Sequence, residues 1–338
     1  MSKKDISTYF SFPAENLFGE SQMLQRLPSP RWFSSGRDCF LLVSKLLGQN
    51  TRLFVPEYFC TALKNYLKDF FNVSFYTDNP FAPCADFSGI KISDTEKTAV
   101  LFCDYFGLKE RRFYDEWAAA NPNVIVVEDH SHSPFSDWAL TSTAHFTIAS
   151  LRKTLPIADG AYIYSKKVNL PKLAALKSDT CADFANDIYR AFALKEICEK
   201  QTYIKLFLRG EEKLANKRYA DRQSDLSYEI LHRLNIEKIC NKRKLFGDAL
   251  ESALTGRDYR VVNSQKPNAQ FLPILLFNDT AQREQVRKTL IENRIYPQVF
   301  WNFSKEPKLE SIAEKTLTVP FDLNSDIEYS VQKISGLI

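Results

Sequence analysis

No G-x-G-x-x-G follows any predicted strand in this sequence, which argues against a dinucleotide-dependent dehydrogenase. Its seven cysteines, Cys39, Cys60, Cys84, Cys103, Cys181, Cys198 and Cys240, contain no C-x-x-C and no paired spacing. Several lie in apolar runs, so reduced, packed thiols of a cytoplasmic protein are expected rather than a disulfide framework. No stretch is long and apolar enough to span a bilayer. The start, Met1-Ser2-Lys3-Lys4-Asp5, leads into no apolar core of the kind a signal peptide carries. Net charge is small, +4 from 45 basic and 41 acidic side chains, which gives no argument for a nucleic-acid partner. What is present is ordinary for a globular chain: 44% hydrophobic and 25% charged residues over 338 positions. That length suits one large and one small domain.

The informative stretch runs from residue 123 to 164. Val124-Ile125-Val126-Val127 is a β-branched run with no polar alternation, as expected of a strand buried on both faces. It ends in Glu128-Asp129, and a carboxylate just past the carboxyl end of a buried strand lies where open α/β sheets bind ligands. His130 and His132 follow. A second strand-like run, from Phe146, ends in Ser150-Leu151-Arg152-Lys153. A carboxylate and a lysine at two strand ends can converge on one crevice.

Around this centre the periodicity alternates. Residues 1–30 read as an arm. Ser34-Ser35-Gly36-Arg37 opens a helix whose apolar positions include Phe40, Leu41, Val43, Leu46 and Leu47, with a serine as N-cap. Strands are predicted at 52–55, 72–76 and 99–102, with helices at 57–70 and 110–120 between them. Such alternation implies right-handed crossovers and a mainly parallel sheet. Residues 170–222 are helix-prone and basic towards their end, which suggests a solvated helical surface. The large domain is expected to span 1–235. A linker helix near 236–254 and a small α+β domain, with strands at 259–262 and 271–277 and helices at 281–293 and 327–334, fill 236–338.

Asp129, His132 and Lys153 together suit pyridoxal phosphate. A lysine amine condenses with the cofactor aldehyde as a Schiff base. A carboxylate keeps the pyridine nitrogen protonated, making the ring an electron sink. The flat imidazole of His132 can stack on that ring, and the helix opening at Ser35-Gly36 can take the phosphate on its N-terminal amides.

On those residues the chain resembles the DegT/DnrJ/EryC1/StrS family of sugar aminotransferases. Val126-Val127-Glu128-Asp129-His130-Ser131-His132 is similar to that family's (V/I)-E-D-x-A-(H/Q), and Phe146 to Lys153 with Asp159-Gly160-Ala161 is similar to its lysine strand and glycine turn. Ser35-Gly36-Arg37, Asp104-Tyr105-Phe106-Gly107 and Arg222-Gln223-Ser224-Asp225-Leu226 resemble its phosphate turn, preceding strand end and R-M-S-E-L helix start. The resemblance implies an α/β fold-type I pyridoxal-phosphate transferase, with Lys153 catalytic. It assigns Asp129, His132, Ser35, Gly36, Arg37 and Ser150 to the cofactor, and suggests Tyr58 and Tyr105 as substrate contacts. The implied reaction transfers an amino group from glutamate, the amino-acid donor, to a nucleotide-linked keto-sugar in a cytoplasmic homodimer.

The match also has departures. The position five before the lysine, serine in the family, is Ile148, and the family's Asn two before the arginine is Ala220. Arg37 stands where threonine is usual. Lys153 itself argues against the dehydratase branch, which carries histidine there. Two other readings come from the same residues: a metal-dependent hydrolase using His130 and His132 with Asp129, Asp137 and His145, and a non-catalytic binding protein that kept the fold.

Overall fold

The structure, a computed structural model, describes residues 5–7, 11–48, 50–171, 182–301 and 307–338. Most of the arm expected over residues 1–30 is described; Met1 to Lys4, the whole of 172–181 and Cys181 with it lie outside that set.

Strand β1 (Ile6–Ser7) starts the chain, followed by β2 (Arg31–Phe33) and helix α1 (Gly36–Leu47). Then come β3 (Arg52–Pro56), α2 (Thr61–Lys68), β4 (Asn72–Tyr76), β5 (Thr98–Cys103), α3 (Arg111–Ala120) and β6 (Ile125–Asp129). The short α4 (Asp137–Thr141) leads to β7 (Phe146–Ser150) and β8 (Ala161–Tyr164). These strands make one seven-stranded sheet in the order β2-β8-β7-β6-β5-β3-β4. The five from β7 to β4 are parallel, while β8 pairs antiparallel with both its neighbours, β7 and the edge strand β2. The mainly parallel sheet was legible from unbroken apolar runs. The two antiparallel strands were not, because each has only three or four residues and follows a turn.

Both faces of the sheet are covered, which is why its strands lack polar alternation. Along β5, Ala99, Leu101 and Cys103 pack in the layer of α1 and α2, and Val100 and Phe102 pack against α3. The same alternation runs through β6: Val127 joins the α1 layer and Val126 the α3 layer. Asp129 is therefore two positions on from Val127 and faces α1, whereas Glu128 faces the opposite layer.

A helical hairpin follows, α5 (Ala182–Lys195) and α6 (Lys200–Asn216), then α7 (Asp225–Arg233). The basic stretch read as solvated is only partly so: Lys195 and Lys217 are buried. Lys217 has left the surface because Asp38 and Asp221 neutralise it.

The long helix α8 (Ile236–Ala253) precedes a three-stranded antiparallel sheet of β9 (Arg260–Val262), β10 (Ile274–Leu276) and, after α9 (Thr280–Glu292), β11 (Ile295–Tyr296) and α10 (Pro307–Ala313), β12 (Thr316–Thr318). Helix α11 (Ile327–Ser335) packs back on α8. Strand β1 pairs in parallel with β11, so part of the N-terminal arm docks on this unit. The strand expected over 271–277 is shorter because Pro273 cannot donate to a ladder. Phe271 and Leu272 instead turn towards the main sheet. Likewise the helix expected from residue 57 starts at Thr61. Pro56 and the turn after it hold Tyr58 outside the helix, against the C-terminal unit.

Candidate active site

The site forms at the carboxyl ends of β6 and β7. Asp129 is buried, and its Oδ1 accepts the Ser131 N–H at 2.8 Å. No described residue donates to its other oxygen. Ser131 turns the chain back across the sheet end, where its Oγ accepts the Ser150 N–H at 2.9 Å. Ser150 in turn faces the opening of α1: a Cβ built on Gly36 would lie 3.5 Å from the Ser150 Cβ. Three residues singled out in sequence, Asp129, Ser150 and Gly36, are thus brought together.

Lys153 ends a single helical turn, Leu151 to Lys153, directly after β7. It is half-buried, and its ammonium has no hydrogen bond or ion pair with any described residue. Its charge reaches His132: burial first, and Lys153 second, push the imidazole well below its usual pKa, so His132 is neutral near pH 7. The same lysine and Asp129 both act on Cys103, opposite Asp129 in the sheet, where burial is the main cause of a raised thiol pKa.

His132 sits in an aromatic enclosure. The rings of Phe271, Phe106 and Trp301 lie nearly parallel to it at 4.4, 4.9 and 5.9 Å, and Phe300 meets it edge-on at 5.6 Å. The Phe106 N–H donates to His132 Nδ1 at 3.4 Å. Phe106 is held there by the turn that follows β5. Gly107 has φ +74°, and a Cβ on it would come within 2.0 Å of the Ala269 carbonyl oxygen. Only glycine allows the C-terminal unit to approach so closely.

The opening of α1 is well supplied with donors. The Gly36 and Arg37 N–H groups make no hydrogen bond with a described residue, as expected in a first helical turn. Ser35 Oγ is buried without a partner. Asp38 caps the turn, its carboxylate accepting the Ser35 N–H at 3.0 Å and the Ser34 hydroxyl at 2.6 Å. Lys217 Nζ donates to both Asp38 oxygens at 2.9 Å and to Ser34 Oγ at 2.7 Å. Burial raises the Asp38 pKa, and Lys217 opposes that shift. The Arg37 side chain is directed elsewhere: it donates to the Leu214 carbonyl at 3.1 Å and lies over the Tyr66 ring. Only its backbone amide faces the turn.

Tyr58 and Tyr105 are fully buried, and their hydroxyls are taken by backbone carbonyls, Tyr58 by Phe300 and Tyr105 by Tyr58. They build the junction between the two sheets rather than offering free hydroxyls. His130 does not join His132. Its Nε2 lies 3.1 Å from Glu128 Oε2, on the α3 side, where Glu128 also accepts the Trp138 indole N–H at 3.1 Å. Asp137 is exposed and pairs with Arg26 at 3.1 Å, and His145 accepts the Val126 N–H. Among the described residues no three His, Cys, Asp or Glu side chains converge as metal ligands.

No protein-family model matches the chain, and no curated protein matches it either. Solved structures do. A sugar aminotransferase of Streptococcus pneumoniae, in its PMP form, superposes with a TM-score of 0.64 at 13% identity over 95% of this chain and 92% of its own. Helicobacter pylori PseC, an aminotransferase involved in the biosynthesis of pseudoaminic acid, gives 0.65 at 12% identity over 98% of both chains. A DegT DnrJ EryC1 StrS aminotransferase of Brucella abortus gives 0.62 at 15% identity, covering 94% of this chain and 86% of its own.

The fold is that of the sugar aminotransferases. Fold-type I is thereby the observed architecture, as the motifs implied.

The residues present fit pyridoxal phosphate. Asp129 has one carboxylate oxygen without a donor, Lys153 a half-buried ammonium without a partner, and Ser35 an orphaned hydroxyl beside two free amides. Gly36 brings the start of α1 up to Ser150, at ordinary contact distance from a Cβ built on it. A ring stacking on His132 would share that imidazole with Phe271, on its opposite face or in its place.

Sequence reading missed the enclosure and the buried Lys217. Phe271, Phe300 and Trp301 come from parts of the chain far from the motifs, and Lys217, just before Arg222, reads as one more basic residue of a solvated stretch. The adjacent aromatics Phe300-Trp301 were the one available signal.

Proposed function

We propose that this protein is a pyridoxal-phosphate-dependent aminotransferase. It moves an amino group from glutamate to a keto group on a nucleotide-linked sugar, as a cytoplasmic homodimer serving surface polysaccharide or related sugar synthesis. The observation that carries the reading is Lys153: an ammonium at a strand end, half-buried, unpaired among the described residues, and close enough to neutral His132 to depress its pKa. A sugar substrate is supported by the structural relatives and by the motif resemblance; the nucleotide, the donor and the dimer rest on the resemblance alone.

Bound pyridoxal phosphate supplies an aldehyde and an electron-withdrawing ring. This chain's residues do the rest. Asp129 offers its unpaired oxygen to a protonated ring nitrogen. The neutral imidazole of His132 gives a flat, apolar wall. The amides of Gly36 and Arg37, with the Ser35 and Ser150 hydroxyls, hold a phosphate at the positive end of α1. Lys153 Nζ, in its neutral amine form, would take the proton from the substrate carbon bearing nitrogen and hand it on to the cofactor rather than back to that carbon. The aromatic rings around His132 exclude water from that transfer.

The test is turnover in Lys153→Ala with glutamate and a panel of nucleotide keto-sugars. The proton-transfer role alone predicts a fall of about 10²–10⁴-fold. Turnover equal to that of the unaltered protein would remove Lys153 from the mechanism.

A further inference from the structure

Behind the opening of α1 lies a buried ion cluster that the chemistry above does not use. Lys217, just past the end of α6, is buried there with Asp38, Asp159 and Asp221. Its Nζ pairs with Asp38 at 2.9 Å and with Asp221 at 3.1 Å. Among the described residues it is the one cation paired with Asp38. Its charge also opposes the upward shift that burial imposes on Asp159.

Lys217 also fixes the backbone just before the phosphate turn. Its Nζ donates to Ser34 Oγ at 2.7 Å. Ser34 is pinned on its other sides: its N–H donates to the Asp221 carbonyl at 2.9 Å, and its own carbonyl accepts the Gly160 N–H at 2.7 Å. Arg37 ties the same turn to the same helix end through the Leu214 carbonyl at 3.1 Å.

Asp38 poses an electrostatic problem that Lys217 removes. A carboxylate in the first turn is drawn to the positive end of the helix, and a phosphate needs that same end. Left unpaired, the Asp38 charge would offset the helix end and repel a dianion. Yet Asp38 is needed as an acceptor, because it holds the Ser35 N–H and the Ser34 hydroxyl in place. A lysine bound to both of its oxygens cancels the charge and leaves those hydrogen bonds intact.

We infer that Lys217 is a positioning residue for the cofactor phosphate: by cancelling the Asp38 charge and holding Ser34, it keeps the Ser35-Gly36-Arg37 turn able to accept a dianion. It acts through Asp38 and Ser34 and is not itself a ligand of the phosphate. The inference rests on the pyridoxal-phosphate reading for the identity of that anion.

The experiment compares the affinities of pyridoxal phosphate and of pyridoxal, which has the ring without the phosphate, by visible absorbance titration of the full chain. Wild type, Lys217→Met and Asp38→Asn are measured near pH 8, to keep Asp38 ionised against the upward push of burial. In Lys217→Met, pyridoxal phosphate should bind about tenfold or more weakly, with pyridoxal unchanged. In Asp38→Asn, which keeps the acceptor and removes the charge, the preference for pyridoxal phosphate over pyridoxal should rise. A structural role alone weakens both ligands equally. Equal losses in Lys217→Met, or a preference that is unchanged or lower in Asp38→Asn, would overturn the inference. If Lys217→Met does not fold, Asp38→Asn decides by the same criterion. Wild type that gives no visible absorbance with pyridoxal phosphate defeats the cofactor reading instead. Calorimetric titration of inorganic phosphate into the same proteins then decides Lys217: weaker binding in Lys217→Met supports it, and equal binding or none in wild type overturns it.

Discussion

Single residues at this site differ in what their surroundings demand of them. His132 shows this best, because burial first and the Lys153 charge second hold it neutral. The unfolded chain takes up a proton on this histidine below about pH 6.5, and the native state resists it. The unfolded state then binds more protons, so stability is intact above that pH and declines as pH falls through it. One such site contributes a slope of up to about 1.4 kcal/mol per pH unit. Replacing His132 with Phe keeps a ring in the aromatic enclosure and removes the titration. Denaturant unfolding at pH 7.5 and 5.5 should show a smaller acid loss in His132→Phe than in the parent. An unchanged loss would mean that His132 is protonated in the native state. The sequence showed Asp129 and Lys153 because each follows a strong strand signal. It gave no sign of the burial of Lys217, which depends on Asp38 and Asp221 pairing with it.

At the scale of elements, the turn after the lysine strand ties three pieces together. Among the described residues Asp159 makes no ion pair, and its buried carboxylate accepts the Ser224 N–H at 2.7 Å and the hydroxyls of Ser224 and Ser227. These bonds seat the start of α7 on the turn before β8. The neighbouring Gly160 N–H donates to the Ser34 carbonyl at 2.7 Å, just before α1. Gly160 has φ +141°, and a Cβ there would come within 2.6 Å of the Gln223 side chain. Burial raises the Asp159 pKa, and the serine hydrogen bonds oppose the shift. Replacing Asp159 with Ala leaves buried donors unsatisfied and should cost ~3 kcal/mol of stability. Hydrogen exchange should show the loss concentrated at α7 and the Ser34 to Gly36 turn. A loss spread evenly over the chain would contradict this linkage. The sequence displayed Asp159-Gly160 and the Ser224 cap as separate motifs. Their contact spans more than sixty residues, so no local pattern could join them.

At the scale of the whole molecule, fold class was the most legible property. Alternating apolar runs and helical periods specify a parallel sheet with crossovers, and the architecture agrees with structures only 12–15% identical. Less legible was how the C-terminal unit closes the site. That closure depends on Pro273 ending a strand early, so that Phe271 reaches His132, and on Gly107 admitting Ala269. The central claim is that this closed crevice holds pyridoxal phosphate on Lys153. Borohydride reduction of the protein with added cofactor, then proteolysis and peptide mass spectrometry, tests it most directly. The account predicts a pyridoxyl mass increment on the peptide containing Lys153 and no labelled peptide from Lys153→Ala. Labelling confined to other lysines, or no label at all, would contradict it.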